Sequence, residues 1–494
     1  MANSNKVYLA VDLGASGGRV LAGIFDGSSF ELYEVHRFSN GPFGLGSHLY
    51  WNVLELWRNI QDGLRKAAAQ FGESIQSVGV DTWGVDFALL GKNDELLGNP
   101  YNYRDPQNQG MIEKASEVVS RVDIFAETGL QFMDFNSLFQ LYAMKLADSS
   151  LLDSAQSFLM MPDLFHFLLT GEKANEFTDA STTQFLNPAT RDWSRSLLDR
   201  LGIPNHFLQS IAEPGTRLGK VVNPIAESTG LKNVEVILPG THDTASAVMA
   251  VPAEGEPSNQ PNWAYISSGT WSLMGAEVAA PVVTDRCREF NFTNEGGVGG
   301  TIRLLKNITG LWLVQECRRI WLESGKEYSW SQLADMAKAA SPLQSTIDPD
   351  DPSFTAPSNM PDAIRQFCRN TNQPVPESEG EVIRCALESL ALKCRKVLEM
   401  LESLTGSAFE TIHIVGGGTQ NQLLCQMTAD ACNRRVVAGP VEATAIGNAM
   451  MQAIADGAIA SVQEARQVIR SSFDVVQYEP SASDAWETAF QRLK

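Results

Sequence analysis

Four short segments combine carboxylates, hydroxyls and glycines in ways that suit phosphate chemistry. The first is Asp12-Leu13-Gly14-Ala15-Ser16-Gly17-Gly18-Arg19. Glycine and serine let backbone N–H groups come close to phosphate oxygens. Asp12 could hold a hydrated magnesium ion there, and Arg19 could touch a terminal phosphate. The same residues also suit an ordinary hairpin with an exposed acid. The second is Pro239-Gly240-Thr241-His242-Asp243-Thr244-Ala245, between an apolar strand and an apolar helix. A carboxylate at a helix start stays ionised, because the helix dipole stabilises it, and an ionised carboxylate is what a general base needs; a plain helix cap is the alternative. The third, Ser267-Ser268-Gly269-Thr270-Trp271, offers hydroxyls and a glycine turn that either cradle phosphate or close a hairpin. The fourth, Gly416-Gly417-Gly418-Thr419-Gln420-Asn421, sits between a strand and a helix. It exposes backbone beside a helix N-terminus, which suits a nucleotide, or it is a tight connection. Asn307, Thr309 and Gln315 read as polar positions on an otherwise apolar helix, reaching a ligand or satisfying buried backbone.

Other chemistries lack their signatures. There is no GxxxxGK[ST], no GxGxxG after a strand and no HExxH. Residues 14–18 match GxSxG literally, but that turn leads into an apolar strand where a nucleophile elbow needs a helix. The six histidines are scattered without metal-ligand spacing, and only His242 stands in a suggestive place.

Elements that would hold these segments can be read from the apolar spacing. Residues 6–13 read as a buried strand, 19–25 as a second and 32–38 as a third. Val53, Leu56, Trp57, Ile60, Leu64, Ala67, Ala68 and Phe71 recur at helical spacing, and residues 75–90 read strand, turn, strand. Residues 251–262, rich in Pro, Gly and Asn, make the best linker. Beyond it, 263–276 echoes the N-terminal hairpin, 382–404 is a long helix, 412–415 a strand, 423–432 a helix, 435–438 a strand and 443–455 a helix. The segment 341–361, rich in Pro, Asp and Ser, reads as a surface excursion. Two related α/β lobes with a cleft between them are the economical architecture, and such clefts favour small-ligand sites.

The chain has 494 residues, enough for two large domains or three smaller ones. With 38 basic and 58 acidic residues its formal charge is −20, a field that repels nucleic acid and anionic membrane surfaces. A polyanionic ligand would need local help from backbone N–H groups, a few cations and a metal. The seven cysteines have neither CxxC nor zinc spacing; free buried thiols are expected, although Cys368 and Cys385 could pair under oxidation. No apolar run reaches signal-peptide or transmembrane length, so a cytoplasmic protein is expected.

In this order along almost the whole chain, VDLGASGGRV, VDTWGVDFALL, THDTASAV, SSGTWSLMG, NEGG, LLKNITGLWLVQE, HIVGGGTQN and GPVEATAIGN resemble the FGGY carbohydrate kinases of the actin/Hsp70/hexokinase-like fold. VDTWGVDF, and HDTASAV with SSGTWSLMG, carry most of the likeness, and GGG the least. The resemblance implies an α/β fold of two ribonuclease H-like lobes around a catalytic cleft. Residues 1–248 would bind sugar and carry the first phosphate loop, 249–470 would bind nucleotide, and 471–494 would pack as a tail. It implies Asp243 as catalytic base, with Gly84, His242, Asp243, Thr244 and Asn307 on the sugar. ATP would be met by Ala15, Ser16, Gly17, Gly18, Arg19, Thr270, Gln315 and Gly417, with Asp12 near Mg2+ through water. Gly17 stands where the family often has a second serine, and Thr241 where it often has serine. The implied activity is ATP-dependent phosphorylation of a small ketose at its C1 hydroxyl. L-rhamnulose is the favoured acceptor, with L-fuculose, xylulose, ribulose and glycerol open. A sugar-independent ATPase or binding protein on the same fold is the alternative from another class. A small-molecule ketose and ATP are the expected partners, with no nucleic acid and no membrane.

Overall fold

The computed structural model describes residues 5–255, 258–355, 357–481 and 484–492. The first four residues of the N-terminal reading, positions 256–257 of the expected linker, position 356 of the expected surface excursion, and positions 482–483 and 493–494 of the expected tail lie outside them.

In chain order, the elements that carry the site begin with β1 (Lys6–Gly14), β2 (Gly17–Phe25), β3 (Phe30–Ser39), α1 (Val53–Phe71), β4 (Ile75–Thr82), β5 (Arg217–Lys220), β6 (Glu235–Ile237) and α2 (Asp243–Met249). They continue with β7 (Trp263–Ser268), β8 (Trp271–Val278), β9 (Thr293–Gly296), β10 (Ile302–Thr309), α3 (Trp312–Glu323), α4 (Glu379–Thr405), β11 (Thr411–Val415), α5 (Gln422–Cys432), β12 (Arg435–Ala438), α6 (Ala443–Ala455), α7 (Val462–Ser472) and β13 (Val476–Tyr478). The chain forms two compact units that interleave in sequence. One holds residues 1–258, 277–304 and 443–473, the other 259–276, 305–442 and 474–494.

The first unit is built on a six-stranded sheet in the order β5-β6-β4-β1-β2-β3. β1 is antiparallel to β2 and parallel to β4, which is parallel to β6. Seven of the nine β1 residues are buried, as its near-continuous apolar run requires of a strand covered on both faces. On one face lies α1, started by the Asn52 side chain accepting from Glu55 N, with Val53, Leu56, Ile60, Leu64 and Ala67 inward. α6 packs on β1 and β4: Gln452 donates to Leu9 O at 2.9 Å and accepts from Ser77 Oγ at 2.7 Å.

The second unit repeats the plan. β10, β8, β7, β11, β12 and β13 lie side by side in that order; β7 is antiparallel to β8 and parallel to β11, which is parallel to β12. α4 starts three residues earlier than its apolar period suggests, because Ser378 and Glu381 form a reciprocal capping box.

Two expectations need correction. Asn307 and Thr309 stand on strand β10, and the helix begins only at Trp312; Gly310 ends the strand, with no room for a side chain against Gly269 O at 2.7 Å. The segment 341–361 is not a surface excursion throughout: Ile347, Phe354 and Met360 are core residues beside Leu313 and Leu387. All seven cysteines are buried free thiols. Among the described residues no helix is long and apolar enough to cross a membrane.

Candidate active site

Parallel pairing gathers carboxylates at one edge of the first sheet. The register sets Asp12 near the end of β1 beside Asp81 near the end of β4, and the hairpin sets Arg19 of β2 opposite Asp12. Arg19 Nη2 lies 2.6 Å from Asp12 Oδ2. Thr82 N donates to Thr241 O at 2.9 Å, so the start of α2 is drawn to the end of β4. This is the carboxyl end of a parallel strand set, where open α/β sheets bind ligands. Asp81 is fully enclosed, accepts from Asn448 Nδ2 of α6, and leaves Oδ1 without a partner. Burial first, then Asp12, pushes its carboxyl well above the usual range. Burial also raises Asp243, with Asp12 adding to the rise, while His242 and Thr244 pull the other way. About a third of the Asp243 side chain (33%) remains accessible, so desolvation acts on it less completely than on Asp81. Thr244 Oγ1 donates to Asp243 Oδ1 at 3.1 Å and His242 Nε2 lies 3.4 Å from the same oxygen.

The turn after β4 is rigid. A Cβ at Gly84 would lie 2.9 Å from Thr182 Cγ2, so no side chain fits. Val85 has φ 70°, a left-handed conformation that costs a β-branched residue about 1–3 kcal/mol. It is held by Thr182 Oγ1, which accepts from Val85 N at 2.9 Å, and by Ser137, which donates to Val85 O. Asp86 anchors the turn from below. It accepts from Trp51 Nε1, Trp83 Nε1 (3.0 Å), Gln140 Nε2 (2.8 Å) and Tyr103 N (3.2 Å). Burial nevertheless raises its carboxyl to about 7.

The chain entering α2 is pinned as well. Glu176 Oε2 accepts from Thr241 N (3.1 Å), Thr241 Oγ1 (2.6 Å) and Thr178 N (2.9 Å), and Thr178 Oγ1 accepts from His242 N at 3.2 Å. Beyond the imidazole lie Glu295 of β9 and Arg303 of β10, whose Nη2 and Oε2 are 3.1 Å apart.

The N-terminal glycine turn is a two-residue hairpin, Ala15–Ser16, between Gly14 and Gly17. Asn40 donates to Gly14 O at 2.9 Å through its side chain and to Ser16 O at 3.3 Å through its backbone. A Cβ at Gly17 would lie 3.2 Å from Phe38 O, a tight approach, and one at Gly18 would strike the Phe38 ring at 2.4 Å.

Within the second unit, Thr270, Gln315 and Gly417 stand on three segments that touch at residues 268–270. Thr270 lies in the β7–β8 turn; Trp312 N donates to Thr270 O at 3.1 Å and Leu311 N to Gly269 O at 3.0 Å. Gln315 follows in the first turn of α3. Gly416 and Gly418 press on Ser268, with built Cβ positions 3.0 Å from Ser268 O and 2.0 Å from its Oγ, whereas Gly417 faces open space. Packing fixes the outer glycines and leaves the middle backbone approachable.

Several residues of this site carried no role at the level of sequence. Asp86, Glu295 and Asn448 stand inside the motifs quoted above, so their motifs were visible and their tasks were not; Glu176 and Arg303 gave no local signal. Among the described residues no three His, Cys, Asp or Glu side chains form a direct ion-binding group. Asp12, set beside Asp81 by the strand register, is a hard oxygen donor that fits a hydrated magnesium ion reached through water.

The N-terminal domain model of the FGGY family of carbohydrate kinases matches residues 7–250 and its C-terminal domain model residues 264–455. The chain is 46% identical over 487 residues to a rhamnulokinase of Bacteroides thetaiotaomicron, covering 99% of this chain and 98% of that one. It is 43% identical over 470 residues to a rhamnulokinase of Halalkalibacterium halodurans, covering 95% and 98%. Its fold is similar to that of a gluconate kinase from Lactobacillus acidophilus, with TM-score 0.81 at 16% identity over 99% of this chain and 96% of the other. The chain therefore belongs to the FGGY family of carbohydrate kinases.

Proposed function

We propose that this kinase transfers the γ-phosphoryl group of ATP to the C1 hydroxyl of L-rhamnulose, giving L-rhamnulose 1-phosphate. The near full-length likeness to two rhamnulokinases supports the acceptor. The observation that carries the chemistry is Asp243. Its Oδ1 is met by Thr244 and His242, and it starts a helix whose entry is pinned by Glu176. Phosphoryl transfer asks little covalent help of the protein; positioning and charge stabilisation dominate. Asp243 accepts the hydroxyl proton as that oxygen attacks the γ-phosphorus in line and ADP leaves. Gly84, His242, Thr244 and Asn307 orient the sugar. Backbone N–H groups of residues 15–18, with Arg19, Thr270, Gln315 and Gly417, hold the nucleotide phosphates and offset the developing charge. Asp12 would hold Mg2+ through water; when bound, the ion supplies neutralisation of the phosphate charge.

A coupled ADP-release assay over L-rhamnulose, L-fuculose, xylulose, ribulose and glycerol tests the reading. L-rhamnulose should give the highest kcat/KM, and Asp243→Asn should lower kcat by about 100-fold or more with a smaller change in sugar KM. ADP release that no sugar increases would refute kinase action on these acceptors. An Asp243→Asn enzyme with the parent kcat would refute the base.

A further inference from the structure

His242 is wedged between two groups of opposite hydrogen-bonding character. Its Nδ1 lies 3.0 Å from Arg303 Nη2 and 3.2 Å from Glu295 Oε2, while its Nε2 faces Asp243 Oδ1 at 3.4 Å. A neutral imidazole has one N–H and one lone pair, so the partner of Nδ1 decides what Nε2 presents. If Nδ1–H donated to Glu295, the Nε2 lone pair would oppose an ionised Asp243. If Arg303 donates to Nδ1, Nε2–H points at Asp243. At Nδ1 the Arg303 contact, at 3.0 Å, is the shorter and has hydrogen-bond geometry; Glu295, at 3.2 Å, competes for the same nitrogen, and Asp243 faces Nε2 at 3.4 Å as an ion-pair approach.

Arg303 is built to stay where it is. It is fully buried, and Nε donates to Gly296 O at 2.7 Å. Its charge is offset by Glu295: burial raises that carboxyl, but Arg303 and His242 outweigh it and hold it below the usual carboxylate range. A buried guanidinium and carboxylate are costly to enclose, and removing either partner leaves the other uncompensated. The pair aims a fixed donor at one nitrogen of the residue next to Asp243.

We propose that Arg303, with its charge balanced by Glu295, is a positioning residue: it donates to His242 Nδ1, holds the imidazole as the Nε2–H tautomer, and so dedicates Asp243 Oδ1 to His242 and Thr244 and leaves Oδ2 as the oxygen that takes the sugar proton. The proton moves from the C1 hydroxyl to Oδ2. Oδ1 keeps accepting from Thr244 and facing the His242 Nε2–H through the step, so no group has to turn round while the phosphoryl group moves. The inference rests on the reading of Asp243 as base.

The test is long-range 15N–1H correlation of protein labelled with 15N-histidine, with the His242 signal assigned by its loss in His242→Asn. The parent should show a neutral ring with its proton on Nε2. Arg303→Met should shift the proton to Nδ1, toward Glu295, and lower kcat roughly 10–100-fold while the KM for ATP holds, as when a histidine loses its second partner. Glu295→Gln, nearly the same shape, should keep the Nε2–H form and lose less kcat than Arg303→Met. A parent ring protonated on Nδ1 overturns the proposal even if Arg303→Met fails to fold. So does an Arg303→Met enzyme with unchanged tautomer and kcat. If Asp243→Asn keeps the parent kcat, the base reading falls while the tautomer measurement still reports on Arg303.

Discussion

Asp86 shows how a single carboxylate can matter without touching a reacting atom. Four N–H groups converge on it, from Trp51, Trp83, Gln140 and Tyr103. Gln140 Nε2 also donates to Phe135 O at 2.9 Å, so the amide cannot turn its oxygen toward position 86 without losing that bond. Asp86→Asn would set an NH2 group against these donors. The expected cost is about 1–3 kcal/mol of stability, from a buried donor left unpaired. The turn holding Gly84 and the strained Val85 should loosen with it. Sugar KM should rise while ATP KM holds; urea unfolding and steady-state kinetics read the two effects, and unchanged values of both would contradict the anchoring role. The motif VDTWGVDF was plain in the sequence, and so was Gly84. The task of Asp86 was not, because its donors come from residues 51, 83, 103 and 140 and only the fold assembles them. Glu295 and Arg303 were hidden for the same reason, sitting 53 and 61 positions beyond His242.

Periodicity carried the elements well. The strands at 6–13 and 435–438 and the helices at 53–71 and 443–455 stand where their apolar spacing put them. Asn307 failed because a short apolar run does not say strand or helix by period alone; Gly310, which closes the strand, was the available signal. What no period reveals is which unit a helix joins. α6 lies after the second sheet in sequence yet belongs to the first unit, where Asn448 reaches Asp81 and Gly79 O. It also sets the seat of α2. A Cβ at Gly447 would fall 1.8 Å from Ser246 O, so only glycine permits this helix pair. Gly447→Ala must push α2 and α6 apart, and Asp243 is the first residue of α2. The expected destabilisation is at the upper end of about 1–3 kcal/mol, the usual cost of overpacking. kcat should fall with it, measured well below the melting temperature. Gly44→Ala, with nothing within 4 Å of its Cβ, is the control and should change neither. Equal behaviour of the two variants would mean that the helix contact does not govern Asp243.

At the scale of the molecule, the enclosed acids of the first unit should bend stability with pH. Burial raises Asp81, Asp163, Asp179 and Glu176, and takes Asp86 to about 7. A carboxyl whose folded value exceeds its unfolded one binds a proton more tightly when folded. Its contribution is complete below the unfolded value near 4 and is lost as pH rises through the folded value. For Asp86 that loss runs from about pH 4 to about pH 7 and is complete just above it. Other carboxyls run the opposite way: Glu34 beside Arg37, Glu379 beside Lys326 and Glu381 at its capping box are all lowered, and their contribution disappears as pH falls below the ordinary carboxylate range. The melting temperature should therefore climb from about pH 8 to about pH 6 and turn down below about pH 4. A net charge of −20 would by itself give a similar rise, since titrating any acid relieves self-repulsion. Salt separates the two causes: it screens charges at the surface far better than groups enclosed in the protein. If the buried acids govern, the rise between pH 8 and pH 6 survives in high salt and is smaller in Asp86→Asn. A rise that vanishes in high salt would assign it to the surface field instead, and a melting temperature that increases with pH across this window would contradict the raised carboxyls altogether.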